Sequence, residues 1–503
     1  MSFITLILAV VMVVAIVVGW RFWKIKNLYR PLESVPSPPR HWLLGNLPQV
    51  STSIKQKQFF KLLFDWSQQY GSAYVVWAGR PILVLSQPTV VEDTIVHGMR
   101  EGSLVRSRRA TKAWNEIRGP ILLGLNGAEW KWRRKAWNPE FTSSGLSSHL
   151  PVVHTACLQV IEKLKKAGSH PVQIDGLFVE LTMRVIASLL LGIPVERQTD
   201  SLNSPALNIQ KIYQAMSVIG YRFLRIATGE KLWKKYLPTK ASRDYWAARR
   251  YLEEVLSPYV DSALQLRDDA SVETNHSSML VKIAVKEPRY TKETLISESI
   301  ELLIAGTDTT AHSLSLAVGE LASHPNVFNK ARELVDRVWE QHGEFSIDSL
   351  KDLTYIRAVF KETLRLYSIA SGSTSLEATR QTEIQGITVP PGTRIFWSML
   401  GAGRDPDIYL DPNQFQPERW LKEEREDSSV PMIDFGSGYH RCLGEHLAML
   451  EATIMLAELI RTFDWELVNG PVTLDNLEQN LLIYPADGMP IRVRQREAIA
   501  LAS

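Results

Sequence analysis

The hydrophobic and polar positions of this chain change character along its length. From Phe3 to Trp20 no residue is charged, and about 18 residues at about 1.5 Å each reach about 27 Å, close to the thickness of a bilayer's hydrocarbon. The run predicts one membrane-spanning helix. No Lys or Arg precedes it, whereas Arg21, Lys24, Lys26 and Arg30 follow before the first acid, Glu33, which places the body behind it on the cytoplasmic side. A cleaved signal peptide fits less well, because the positive leading segment and the small-residue cleavage site are missing. Trp20, Phe22 and Trp23 suit headgroup depth. Pro36, Pro38 and Pro39 make residues 35–40 a stiff spacer. Farther on, Tyr74 to Trp77 and Ile82 to Leu85 flank Gly79 and Arg80 and predict a β-hairpin. Between Thr291 and Ser323, apolar residues recur at helical spacing (Leu295, Ile300, Leu303, Ile304, Leu314, Leu316) up to a His324-Pro325 stop, predicting a helix of about nine turns. The apolar run over 185–195 is too short to span a membrane and belongs in a core. Most of the remainder reads as helix, so the expected fold is mainly α with a small β portion. Residues 1–30 form the anchor and its basic flank, 31–45 a proline-rich hinge, and 46–503 one body.

Charge narrows the function. Lys and Arg number 57 against 54 Asp and Glu, a net charge of +3, which gives no support to a nucleic-acid partner. The two cysteines, Cys157 and Cys442, are too few for a disulfide framework or a zinc site of several thiolates, and predict a reducing compartment. His440, Cys442 and His446 fall short of a closed zinc set.

The most informative stretch runs from Phe435 to Gly444, FGSGYHRCLG, straight into an apolar helical pattern. Cys442 stands where that helix is expected to start, and unpaired backbone N–H groups there favour the thiolate. Gly436, Gly438 and Gly444 let the backbone close in on a flat ligand, and Phe435 offers a ring beside the sulfur. A dinucleotide fingerprint fails, because the glycine spacing is wrong and no βαβ unit surrounds it. In the long helix, Asp308 and Thr309 follow Ala305 and Gly306, whose small side chains leave room for a planar cofactor and a diatomic gas. A carboxylate beside a hydroxyl can pass protons. Glu362 and Arg365, one turn apart, can bond on one helix face, and Arg419 can complete a buried triad. Trp130 and Arg134, at i and i+4, can grip a carboxylate together.

These residues resemble the motifs of the cytochrome P450 superfamily. Phe435, Gly438, Cys442 and Gly444 are similar to its haem-binding loop, and residues 305–310, AGTDTT, to its oxygen-activating segment. Glu362 and Arg365 match its E-x-x-R, Pro417 to Trp420 its P-E-R-F, and Trp130 with Arg134 its W-x-x-x-R. The resemblance implies a P450 fold holding haem b, with Cys442 as the axial iron ligand and Phe435, Gly436, Gly438, His440, Gly444, Ala305 and Gly306 around the cofactor. It gives Trp130 and Arg134 a haem propionate, and Glu362, Arg365 and Arg419 a structural role. Thr309 is implied to hold bound oxygen and Asp308 to relay the protons for O–O cleavage, which the thiolate promotes. The implied reaction is monooxygenation of a lipophilic small molecule by O2. No reductase module is legible before Ser503, so the expected electron donor is an NADPH-dependent flavoprotein reductase, and the expected location is the endoplasmic reticulum membrane.

Departures from the family pattern set further expectations. His440 replaces the usual Arg, and Leu376 falls where a second propionate-binding Arg is usual, so the anchoring is expected to lean on Trp130, Arg134 and His440. The usual prolines after E-x-x-R are absent, and Ser368 follows Tyr367. Residues 231–238, KLWKKYLP, mix cations with aromatic rings and suit a lipid headgroup layer or a solvated helix end equally. The sequon at Asn275 should be unused on the cytoplasmic side. Two alternatives stay open: a haem-thiolate isomerase or dehydratase acting without O2, disfavoured by the intact Asp308-Thr309 pair, and a non-catalytic haem carrier or sensor.

Overall fold

A computed structural model describes residues 23–497 apart from 143–144, 146, 199–206, 228–230, 268–277, 372–374 and 422–431, and of the N-terminal stretch only residues 12, 13, 16, 19 and 20. Most of the predicted membrane span, Asn275 and residues 372–374 therefore lie outside the described residues. Among the described residues no helix is long and apolar enough to cross a membrane.

The chain is mainly helical. The helices that frame the site are α1 (Arg108–Arg118), α2 (Gly127–Trp137), α3 (Leu150–Ala167), α4 (Ile174–Leu191), α5 (Ile209–Ala227), α6 (Lys240–Arg267), α7 (Lys292–Ser323), α8 (Thr354–Tyr367) and α9 (Glu445–Thr462). The 32 residues of α7 start at a capping box in which Thr291 and Thr294 satisfy each other's backbone N–H. It ends where Pro325 forces a new helix. Its flanks are buried on nearly every side, so it is the beam on which the other helices are laid. Thr182 of α4 donates to the carbonyl of Thr307 at 3.1 Å, deep in this contact.

Five short strands form one sheet in the order β1 (Ala73–Ala78), β2 (Arg80–Leu85), β5 (Arg394–Trp397), β4 (Leu376–Ala378) and β3 (Leu104–Arg106). The first two make an antiparallel hairpin closed at Gly79, whose φ of 80° suits glycine. Burial does not alternate along β2: Leu83, Val84 and Leu85 are all buried, with apolar neighbours on both faces of the sheet. β5 lies parallel to β2, and β4 is antiparallel to both β5 and β3. Tyr29 and Leu32 are buried against this sheet, and the Val75 N–H bonds the carbonyl of Pro36 at 2.8 Å, so part of the proline segment is seated on the body.

Candidate functional site

The Cys442 loop is built by its own backbone. The Cys442 N–H bonds the carbonyl of Phe435 at 2.7 Å and the Gly436 N–H bonds that of Ile433 at 2.8 Å. Gly436 and Gly438 take φ of 73° and 61°, which a side chain would strain. Phe435 is half-buried. The helix begins at Glu445 with Gly444 as its N-cap, three residues beyond Cys442, so the sulfur is not inside the first turn. Burial pushes the Cys442 thiol up, and the Gly444 N–H and the guanidiniums of Arg134 and Arg441 offset only part of this. The expected thiolate preference from the helix terminus is thus not met by the protein alone. Although protein surrounds it, Cys442 remains reachable by solvent.

Long-helix residues open in the same way. Ala305 is exposed in the middle of the buried α7, and Asp308 and Thr309 are half-buried. Gly306 does not contribute room: a Cβ there would stand 3.1 Å from Ile186 of α4, so its missing side chain serves helix packing and not a cofactor. Thr309 Oγ1 donates to the Ala305 carbonyl at 2.7 Å, a bond within the helix.

Trp130 and Arg134 are positioned by α2, and α2 is pinned to α7 through their neighbours. Arg133 bonds Glu298 at 2.9 Å, and the indole of Trp137 and the hydroxyl of Tyr290 donate to the same carboxylate at 2.5 and 2.7 Å. Arg133 is therefore buried. Arg134 donates to the Arg441 carbonyl at 2.7 Å and to Asn138 at 2.6 Å, tying α2 to the Cys442 loop. The Trp130 indole packs on the His440 imidazole with ring centroids 3.9 Å apart. Trp130 Nε1 and His440 Nδ1 are buried with no hydrogen-bond partner among the described residues. Burial, Arg106 and Arg134 push His440 down to about 3, so it stays neutral in the protein alone.

Arg106 was not legible as a site residue. It stands directly across the β3–β4 ladder from Leu376, so a cation occupies the partner position of the residue where the family pattern has one. It donates to the carbonyls of Leu122, Leu123 and Leu125 at 2.7, 3.2 and 3.2 Å. Burial, then Arg134, push it down to about 10 against the pull of Glu301. Two guanidiniums that repel each other beside two orphaned buried nitrogens suit an anionic group with several acceptor oxygens. A haem, which carries carboxylates at its edge, would fit this donor set.

Glu362 and Arg365 lie together on α8, fully buried, with Arg365 Nε and Nη2 donating at 2.8 and 2.7 Å. Arg419 at 3.0 Å, the Trp420 indole at 2.9 Å and the Gln416 N–H at 2.9 Å complete the carboxylate's shell. The Trp420 contribution had no signal beyond its place in the P-E-R-F motif.

Comparison with known proteins shows the family. The family described as Cytochrome P450 matches residues 35–491. The chain is 27% identical to "Cytochrome P450 3A29" of Sus scrofa over 455 residues, covering 88% of this chain and 87% of that one. It is 24% identical to "Cytochrome P450 3A13" of Mus musculus, covering 90% of each chain, and 26% identical to "Cytochrome P450 CYP82J17" of Trigonella foenum-graecum, covering 92% of each.

Proposed function

Since this chain belongs to the cytochrome P450 family, whose members bind haem iron and are typically monooxygenase oxidoreductases, we propose that it is a haem-thiolate monooxygenase. It inserts one atom of O2 into a lipophilic small molecule and reduces the other to water, taking two electrons from an NADPH-dependent flavoprotein reductase and two protons from solvent. The observation that carries this reading is the grouping of orphaned nitrogens and cations around the loop that presents Cys442. Haem b is the cofactor, and when bound it supplies the thiolate-ligated iron at which O2 is activated.

The chain's own residues have distinct tasks. Cys442 would ligate the iron as thiolate, a state that binding to the metal would favour over the buried thiol. Trp130 Nε1, His440 Nδ1, Arg134 and Arg106 hold the propionates. Phe435 would pack beside the sulfur, and Gly436, Gly438 and Gly444 would let the loop backbone approach the cofactor. Ala305 would leave room for it. Thr309 and Asp308 would hold and pass protons, and Glu362, Arg365 and Arg419 fix the core behind the loop.

The absorption spectrum of the dithionite-reduced, CO-treated protein tests the assignment. Wild type gives a red-shifted Soret band and Cys442→Ser loses it; a wild-type band that survives the substitution overturns the role of Cys442.

The uncharged run within residues 1–30 acts as a single-pass anchor in the endoplasmic reticulum, followed by a hinge at 31–45 and the haem domain over 46–503 on the cytoplasmic side. Trp42, Trp233 and Tyr236, which are 87%, 58% and 69% exposed, support a membrane-facing surface. Lys235 does not belong to it, being buried and bonded to Glu116 at 2.9 Å. Deletion of residues 1–30 tests both features: a soluble protein supports the anchor alone, and residual vesicle binding supports the aromatic patch.

A further inference from the structure

A cleft of about 380 Å³ lies between α3, α4 and the short helix Met279–Lys286, a volume within the range of about 300–1,000 Å³ usual for small-molecule sites. Val152, Leu189, Val195 and Met279 give it apolar walls. On the α7 face of α4, Thr182 bonds the Thr307 carbonyl at 3.1 Å and Ile186 packs against Gly306. Ser188, which lines the cleft, follows Ile186 by two residues and so stands about 200° round the helix. The body of α4 therefore separates the cleft from α7 and its Ala305.

The polar groups of the cleft are donors. Ser188 is only 7% exposed, and its hydroxyl has no hydrogen-bond partner among the described residues. Lys282 enters the lining from the start of the short helix, and its Nζ donates to the buried Glu140 carboxylate at 3.1 Å. Lys286 donates to the other oxygen of that carboxylate at 3.2 Å. Two ammoniums thus share one carboxylate, an excess of one positive charge, and Lys282 keeps further N–H donors without a partner among the described residues. The N-termini of α3 and of the short helix both border the cleft, and the His149 side chain makes no cap bond to α3. Their unpaired N–H groups favour an anion. Burial and Lys282 hold the His149 imidazole below its ordinary value, so it adds no charge. Glu196, an acid of this lining, is exposed.

We propose that this cleft is a second ligand site, which takes a carboxylate with an apolar tail. The carboxylate accepts from Lys282 and from the Ser188 hydroxyl, and the tail lies along Val152, Leu189, Val195 and Met279. One excess positive charge suits a monoanion, and the apolar walls suit a tail that water solvates poorly. The site stands independently of the haem reading, because none of its residues belongs to the Cys442 loop or to α7.

The test is photolabelling of the full-length, haem-loaded protein with an octanoate that carries a diazirine in its chain, the labelled peptides being mapped by mass spectrometry. Label is expected on residues 148–155 and 188–196, displaced by unlabelled octanoate and not by octylammonium. Lys282→Gln is expected to weaken this labelling by about 10–100-fold, as loss of a charge-assisted donor does, and Val152→Trp to abolish it by filling the cleft. Label confined to other parts of the chain, such as residues 305–309 beside the Cys442 loop, overturns the proposal. So does label in the two stretches that is unchanged in Lys282→Gln, or that octylammonium displaces as well as octanoate. Should Lys282→Gln fail to hold haem, Val152→Trp decides, and label that persists there overturns the site.

Discussion

Two groups of buried polar residues flank the Cys442 loop, and they differ in how far the chain satisfies them. Around Glu362 every charge has its partner: the carboxylate accepts from Arg365, Arg419, Trp420 and the Gln416 N–H. Arg365 directs its remaining donors to the carbonyls of Gly403, Pro412 and Gln414. Around Trp130 the hydrogen bonding is left open, with two buried nitrogens lacking a partner among the described residues, and burial together with the Arg134 charge disfavouring the protonated state of both Arg106 and His440. A buried donor with no acceptor costs free energy, so the second group is built for an acceptor from outside the chain. The first is built for the fold. The same residue types serve structure or binding according to whether their hydrogen bonds close within the protein.

The largest expected effect breaks the closed group. Glu362→Ala leaves Arg365, 1% exposed, as an uncompensated buried charge, costing about 3–5 kcal/mol. Denaturant titration is expected to show a chain unfolded or near its midpoint without denaturant, and a loss below about 1 kcal/mol breaks the distinction between the groups. The next effect lies at Asp434, near Ser368, the residue that stands in place of the usual proline. Burial pushes the Asp434 carboxyl from its ordinary 3.8 up to about 6, against the pull of the Ser368 hydroxyl and Arg365. Between those values the folded chain keeps a proton that the unfolded chain has released, so stability falls as pH rises from about 4 to 6 and is level above. Asp434→Asn is expected to remove that slope, worth at most about 3 kcal/mol, in unfolding curves measured across the window.

Legibility in the sequence follows the same division. Local patterns were readable: α7 starts one residue inside the predicted stretch, the hairpin closes at Gly79, and the i,i+3 spacing of Glu362 and Arg365 is enough to bring them together. What depends on chain crossings was not. Arg106 gains its meaning only from lying across a ladder from Leu376, 270 positions away in sequence by subtraction of the two numbers. Gly306 looked like room for a ligand because nothing in the sequence places Ile186 against it. Lys235 read equally as a headgroup contact or a solvated helix end, yet its partner Glu116 comes from α1. The His312 surroundings combine residues of α4 and α7, so no window of sequence contains them.

The smaller predictions address the open group. Arg134→Ala removes a charge-assisted donor, expected to weaken haem retention by about 1.5–3 kcal/mol, read as a roughly 10–100-fold faster transfer of haem to a scavenging globin. Trp130→Phe is the finest test, because the indole nitrogen has no acceptor among the described residues while the ring packs on His440. Phenylalanine keeps most of the packing and deletes only the N–H. Stability of the haem-free chain is therefore expected to change by less than about 0.5 kcal/mol, since no hydrogen bond is lost within it. Haem transfer is expected to quicken by about fivefold, the kinetic equivalent of one neutral hydrogen bond of about 1 kcal/mol. If the haem-free chain loses stability and haem transfer stays at the wild-type rate, the Trp130 nitrogen serves the fold, and the contrast between a closed and an open polar group no longer holds at this residue.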